Sequence, residues 1–397
     1  MRKYIYLLLP AITSIIFSCS KTVSGTGGTG TIIPGESFAA TGGSGGSGSN
    51  NVGDTTAHNT GGILTSGEWN DHDNWNFWTS LMKDTFGVFE TDWGFYAEKR
   101  WTFTITDING NGINDAVITI KNNNEAYWVC RTNKFGVAQF LPVYSNGTVP
   151  AGLTWQVSYN NLSSAVAALP SATEINYAFK TTFTNTTDAD IMFVVDATGS
   201  MGDELSYIQK ELENVLQRIN DTLQNTQMHY AGVFYRDENQ GDAYVTRHLD
   251  FTTDAGSLVN FVKQQSAEGG GDYPEAVDAG LQVAMQQHWD AQAKARILFL
   301  ILDAPPHDTP EHIALLQEQV QLAASKGVII IPLAASGTDK STEFLLRFME
   351  LATNGTYTFL TDDSGIGNTH LKPTVGHFNV EFLNNQVVRL IAKYAGN

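Results

Sequence analysis

From residue 188 onward, short apolar runs alternate with segments of helical period. The runs 191–195, 229–235, 297–302, 328–332 and 356–360 predict strands, and YVTRHLDF (244–251) predicts an antiparallel edge strand. Apolar spacing over 203–220, 255–265, 274–289, 310–325, 341–352 and 379–394 predicts helices. Strands that alternate with helices imply a mostly parallel sheet covered on both faces. Ligands of such sheets bind at the carboxyl ends of the strands, beside the topological switch point. Two predicted strands run directly into an acid at that edge: Asp196 and Asp303.

Upstream the period changes. RWTFTITD, AVITIK, AYWVCRT, GVAQFLP and TWQVSYN alternate in short runs separated by turn residues, the spacing of a small β-sandwich over 98–180. The expected fold class is therefore multidomain: an all-β sandwich followed by an α/β doubly wound domain. Before the sandwich, Trp69, Trp75, Trp78 and Trp93 crowd a short span. A surface aromatic cluster would bind sugar, but rings at this density are expected to fill a small core or cover the next domain. The pattern of residues 106–142 resembles carboxypeptidase regulatory-like or Ig-like domains of bacterial surface proteins. Within it, Asp107, Asn109, Asn111 and Gly112 match the start of a calcium loop, but Ile118 stands where the bidentate Glu would be. A glycine-containing turn is the expected reading.

Residues 19–67 read as a flexible tether. Fourteen of the 37 glycines fall between Ser24 and Gly67, and no Lys or Arg occurs between Lys21 and Lys83. The first 18 residues have the layout of a signal peptide: Arg2 and Lys3, an apolar core, then Ser18-Cys19. That ending resembles a bacterial lipobox, which implies lipidation of Cys19, an outer-membrane lipoprotein of the cell envelope, and membrane attachment by the lipid alone. Cys130 then has no partner for a disulfide. The expected division is 1–18 signal peptide, 19–67 anchor and tether, 68–180 Trp-rich segment and sandwich, and 181–397 α/β domain. With 23 basic and 41 acidic residues, net −18, the chain lacks the basic stripe that a nucleic-acid partner needs.

In DIMFVVDATGSMGD, Asp196, Thr198 and Ser200 occupy alternate positions, so three oxygen side chains can converge on one point. Oxygen ligation suits a hard cation: Mg²⁺ first, with Ca²⁺ or Mn²⁺ as alternatives. One carboxylate and two hydroxyls leave such an ion with spare charge for a carboxylate from outside. FVVDATGSMGDE is similar to the first motif of the von Willebrand factor A family, the D-x-[ST]-x-S of its metal-ion-dependent adhesion site. RILFLILDAPPHD (296–308) resembles the third motif through Asp303. EGGGDYPEAVDAGL (268–281) looks like the form seen in hemicentin-type and many bacterial proteins, where an acid-bearing loop replaces the usual threonine. The resemblance implies metal ligation by Asp196, Thr198, Ser200 and Asp303, with Asp272 as the second-loop contributor and Glu275 as its alternative. An acid there adds negative charge to the site. Arg236 and Asp237, in a Y-R-D loop like that of the same branch, are expected to be structural or rim residues.

No enzymatic constellation emerges. His307 and Asp308 follow Asp303 closely, but such residues often occupy this loop without chemistry. His370 and His377 lack the spacing of a zinc motif, and Ser200 is not in a G-x-S-x-G elbow. The expectation is a non-enzymatic, cation-dependent protein-binding module for adhesion or assembly. The alternatives are a structural scaffold whose metal only stabilises loops, and a glycan-binding head built on the tryptophans.

Overall fold

The computed structural model describes residues 64–142, 148–184, 186–238, 241–362 and 372–396. The signal peptide, Cys19 and most of the expected tether lie outside the described residues, as does His370. The described chain opens with strand β1 (Thr65–Trp69) and helices α1 (Trp75–Met82) and α2 (Gly87–Trp93). Strands β2 (Trp101–Thr106), β3 (Val117–Asn122), β4 (Glu125–Arg131), β5 (Val137–Phe140), β6 (Thr154–Tyr159), β7 (Leu162–Ser163), β8 (Ala167–Ala168) and β9 (Glu174–Ala178) follow. The remainder runs β10 (Asp188–Asp196), α3 (Gly202–Thr222), β11 (Gln227–Tyr235), β12 (Thr246–Thr252), α4 (Ala255–Lys263), α5 (Val277–Gln286) and β13 (Ala295–Leu302). It ends with α6 (Pro310–Lys326), β14 (Val328–Ala334), α7 (Lys340–Thr353), β15 (Tyr357–Thr361), β16 (Glu381–Phe382) and α8 (Leu383–Ala395).

The large sheet has the order β12-β11-β10-β13-β14-β15-β1-β16. Strands β11, β10, β13, β14 and β15 are parallel, and β12 and β1 pair antiparallel at either side. Every residue of β13 and β14 is buried, which is why they read as unbroken apolar runs. Helix boundaries follow local chemistry. Asp254 and Asp339 cap α4 and α7 by accepting backbone N–H bonds, and α6 starts at Pro310 and stops at Gly327 in a left-handed conformation.

The preceding region is β-rich and made of two sheets, β5-β2-β9 and β4-β3-β6-β7, with β8 on β6. Their side chains meet: Phe103 of β2 packs on Trp155 of β6 at 5.3 Å between ring centroids. The β2–β9 pairing is parallel, unlike the antiparallel pairing that a simple sandwich implies. At the base of the α/β domain, Asp115 receives Arg131 at 2.7 Å and Arg296 at 2.9 Å, and the Arg131 Nε donates to the Ser325 carbonyl at 2.8 Å. The Asp107 loop is closed on itself. Asp107 accepts from the backbone of Asn109 and Asn111 and from the Asn111 side chain, and Phe183 N–H adds a fourth bond.

The Trp-rich segment is placed differently from its sequence grouping. β1 falls partly inside the expected tether yet pairs with β15 and β16 in the large sheet, and α1 and α2 lie against α7. Trp78 stacks on Phe344 and Phe95 stacks on Phe348. Trp69, Trp78 and Trp93 are buried, so these rings serve as core and not as an exposed sugar platform. Next to them, fully buried Arg347 grips Asp71 with two bonds of 2.7 and 2.6 Å.

Candidate metal centre

Asp196 ends β10 in register with Tyr235 of β11, and Asp303 directly follows β13. Both acids therefore emerge at the carboxyl edge of adjacent central strands, where the chain leaves for opposite faces of the sheet. After Asp196 the backbone turns on its own side chain. The Asp196 Oδ1 accepts from Thr198 N at 2.8 Å and from Thr198 Oγ1 at 2.7 Å, and Thr198 Oγ1 lies 3.3 Å from Ser200 Oγ. The Ser200 hydroxyl in turn bonds the Asp303 carboxylate. The first and third loops are thus joined through Ser200.

The second loop folds over them. Glu268 N donates to the Ala197 carbonyl at 3.0 Å, and Gly199 N donates to the Gly269 carbonyl at 3.2 Å. Gly269 and Gly270 both take left-handed φ values, +80° and +77°. A Cβ on Gly269 would overlap the Asp242 carboxylate, and one on Gly270 would sit 2.7 Å from the Glu275 carboxylate. Space is the second reason for glycine at both positions. Beyond this turn Asp272 is exposed. The carboxyl that turns inward is Glu275, which is buried, with its backbone N–H donating to the Pro305 carbonyl at 2.9 Å. The structure brings together Asp196, Thr198, Ser200 and Asp303. At the second loop Asp272 lies exposed after the left-handed glycine pair, and Glu275, its alternative from the sequence, is the buried acid.

Electrostatics set this cluster apart. Asp196 Oδ2, Asp303 Oδ1 and Glu275 Oε2 are buried without a hydrogen-bond partner. Burial, with the charge of Asp303 added, pushes the Asp196 carboxyl up to about 7. Burial pushes Asp303 up to about 6 despite the bond from Ser200, and Glu204 adds repulsion. Glu275 rises furthest, to about 9, through burial and then the charges of Asp196, Asp237, Asp303 and Asp242. Three crowded acids with unfilled oxygens need positive charge, either protons or a cation. Tyr235, not singled out by sequence, has its buried hydroxyl beside Asp196, Asp303, Glu275 and Asp278, which with burial hold its proton on. Glu204 was also missed: its Oε1 accepts from Ser336 Oγ at 2.5 Å and ties α3 to the loop after β14. Tyr235 directly precedes Arg236 in the Y-R-D loop, and Glu204 lies in the first turn of α3, four residues after Ser200, so each sits next to a motif without being one of its ligand positions.

Arg236 and Asp237 are buried behind the second loop: Arg236 donates to the Ser266 carbonyl, and Asp237 meets His307 at 2.6 Å. His377 is exposed.

Residues 190–367 match the sequence model of the von Willebrand factor A domain. They form a von Willebrand factor A domain. Curated relatives match over the same order of length. A putative ariadne-like RING finger protein of Acanthamoeba polyphaga mimivirus is 34% identical over 120 residues, 30% of this chain and 11% of that protein. The alpha-protein kinase vwkA of Dictyostelium discoideum is 26% identical over 123 residues, 31% of this chain and 19% of that protein. The chain thus spans no more than a fifth of the relatives it matches. Among solved structures, BatB from Bacteroides thetaiotaomicron is 15% identical with a TM-score of 0.37, covering 53% of this chain and 100% of that one. The pilus adhesin SpaC from Lactobacillus rhamnosus GG is 14% identical with a TM-score of 0.37, covering 61% and 33%.

A divalent cation often accompanies von Willebrand factor A domains, and the residues here fit one. The donors are all oxygen, and three carboxylate oxygens lack partners. Among the described residues no three His, Cys, Asp or Glu side chains already gather as a metal shell. A site here depends on the hydroxyls of Thr198 and Ser200.

Proposed function

We propose that this von Willebrand factor A domain is a divalent-cation-dependent protein-binding module, used for adhesion or assembly. Asp196, Ser200 and Asp303 would hold the ion, Thr198 would orient Asp196, and Glu275 would supply the second-loop carboxylate in place of Asp272. The observation that carries this reading is the set of three buried, partnerless carboxylate oxygens at one sheet edge. Mg²⁺ suits such a shell best, and Ca²⁺ or Mn²⁺ would also find oxygen ligands. The bound ion would fix the loops and offer an open position to a donor from the partner. Three acids already exceed its charge, so an incoming carboxylate gains less here than at a site with a neutral threonine.

The rest of the proposal follows the sequence. Cys19 would anchor the protein by lipid in the bacterial outer membrane, and no residue is assigned a catalytic role. A second reading, a scaffold whose ion only stabilises loops, draws support from the apolar core shared by the β-rich region and the helices of the α/β domain.

The test is Mn²⁺ binding to the full chain, followed by the paramagnetic relaxation of water. Asp196→Asn and Glu275→Gln should each weaken binding at least about tenfold, and Asp272→Asn should leave it unchanged. Loss of binding in Asp272→Asn with retention in Glu275→Gln would overturn the assignment. Equal binding by all variants would remove the site.

A further inference from the structure

Beside the oxygen site, two histidines are mounted alike. His307 follows β13 and places Nε2 at 2.6 Å from Asp237 Oδ1. His312, in the first turn of α6, places Nδ1 at 2.9 Å from Asp278 Oδ2. Both carboxylates are buried, while the two rings keep 23% and 20% of their surface in solvent. A carboxylate accepts only from N–H, so each neutral ring carries its proton on the anchored nitrogen. The lone pairs then fall on His307 Nδ1 and His312 Nε2. Imidazoles that bind metals are held in this manner, with the second nitrogen donating to a carboxylate that fixes ring and tautomer.

The spacing also fits. The two ring centroids are 5.1 Å apart. Two imidazoles on one tetrahedral ion, with N–metal bonds of about 2.1 Å, place their centroids roughly 5 Å apart. Glu238, next to Asp237, has its Oε2 at 3.8 Å from His312 Nε2 and a half-exposed side chain. Two ligand atoms on such an ion lie about 3.4 Å apart, so a small inward swing of Glu238 completes a third ligand.

We propose that His307, His312 and Glu238 form a second metal site, for a borderline transition ion such as Zn²⁺, distinct from the all-oxygen cluster. Nitrogen donors separate the two by chemistry: imidazole favours Zn²⁺ and Cu²⁺, and the carboxylate–hydroxyl set favours hard cations. Burial lowers the proton affinity of His312, but Asp278 and Glu238 outweigh it and hold the pKa above its ordinary value. Proton and metal therefore compete at this ring, and binding strengthens with rising pH. Water, reaching the ion from the exposed side of the rings, fills the remaining coordination.

The experiment is Zn²⁺ titration of the full chain, free of any histidine tag, at pH 8 in excess Mg²⁺, against a chromogenic competitor. One Zn²⁺ per chain is expected. His307→Gln, His312→Gln and Glu238→Gln should each weaken it roughly tenfold or more, and Asp196→Asn should not. Glu238→Gln alters an exposed side chain and keeps the test valid if a histidine variant misfolds. Cu²⁺ in the same protein should show nitrogen hyperfine splitting in its electron paramagnetic resonance spectrum. Absence of Mg²⁺-resistant binding, binding lost in Asp196→Asn, or an oxygen-only Cu²⁺ spectrum would overturn the second site and leave the oxygen site untouched.

Discussion

Chelator-treated protein is expected to lose stability as pH rises from 5 to 8, and a divalent cation is expected to restore it. The sign comes from the raised acids. Asp196 has an ordinary value of 3.8 and reaches about 7 in the fold. Between those values the folded chain holds a proton that the unfolded chain has released. The contribution is therefore fully present below pH 4 and lost as pH climbs through about 7. A rise from 3.8 to about 7 is roughly a thousandfold in proton affinity, or about 4 kcal/mol. Glu275 prolongs the fall towards pH 9, but the acids interact, so their effects do not add. His72 works the other way: burial and then Arg100 lower it to about 3, so its neutral form favours folding increasingly from pH 3 to its ordinary 6.5. The informative quantity is thus the difference between parent and Asp196→Asn, measured by urea unfolding. In chelator the variant should show the flatter profile and overtake the parent by pH 8. A cation at about a hundred times its dissociation constant should return about 2.7 kcal/mol to the parent and little to the variant. Parallel pH profiles in chelator, or equal cation shifts, would refute the reasoning.

Three further outcomes are expected. Asp71→Ala leaves the buried Arg347 guanidinium without its two-bond partner and should cost about 3–5 kcal/mol in denaturant unfolding. Gly270→Ala places a methyl against the Glu275 carboxylate at a left-handed φ; a loss of about 1–3 kcal/mol, together with weakened Mn²⁺ binding, should follow. Cys130 is buried, which pushes its thiol up to about 12, so iodoacetamide at pH 8 should leave it unmodified in folded protein and label it after denaturation, as read by mass spectrometry.

The strands that carry the site were legible because each is an apolar run that stops at an acid. Asp196 and Asp303 could be placed at one sheet edge from that pattern alone. Which acid of the second loop turns inward was not legible. Asp272 and Glu275 are three residues apart, and the choice is made by two left-handed glycines together with the bond from Glu275 N to Pro305, neither of which has a period. β1 was hidden for another reason. TSGEW has little apolar character, and its partner β15 begins almost three hundred residues later. The His307–Asp237 and His312–Asp278 pairs are likewise contacts between segments far apart in sequence.

The position of β1 has a practical consequence for dissecting this protein. The Thr65 hydroxyl meets that of Thr361 at a sequence separation of 296, so the sheet borrows a strand made long before the rest of it. A fragment cut at residue 181 would keep every residue of the metal cluster and yet lose β1, α1 and α2. Its β15 would then present a bare row of amides and carbonyls, and Phe344 and Phe348 would be uncovered. Such an edge invites pairing with a second copy. Self-association of the excised domain would then report the missing strand, and ligand studies would need the chain from Leu64 onward.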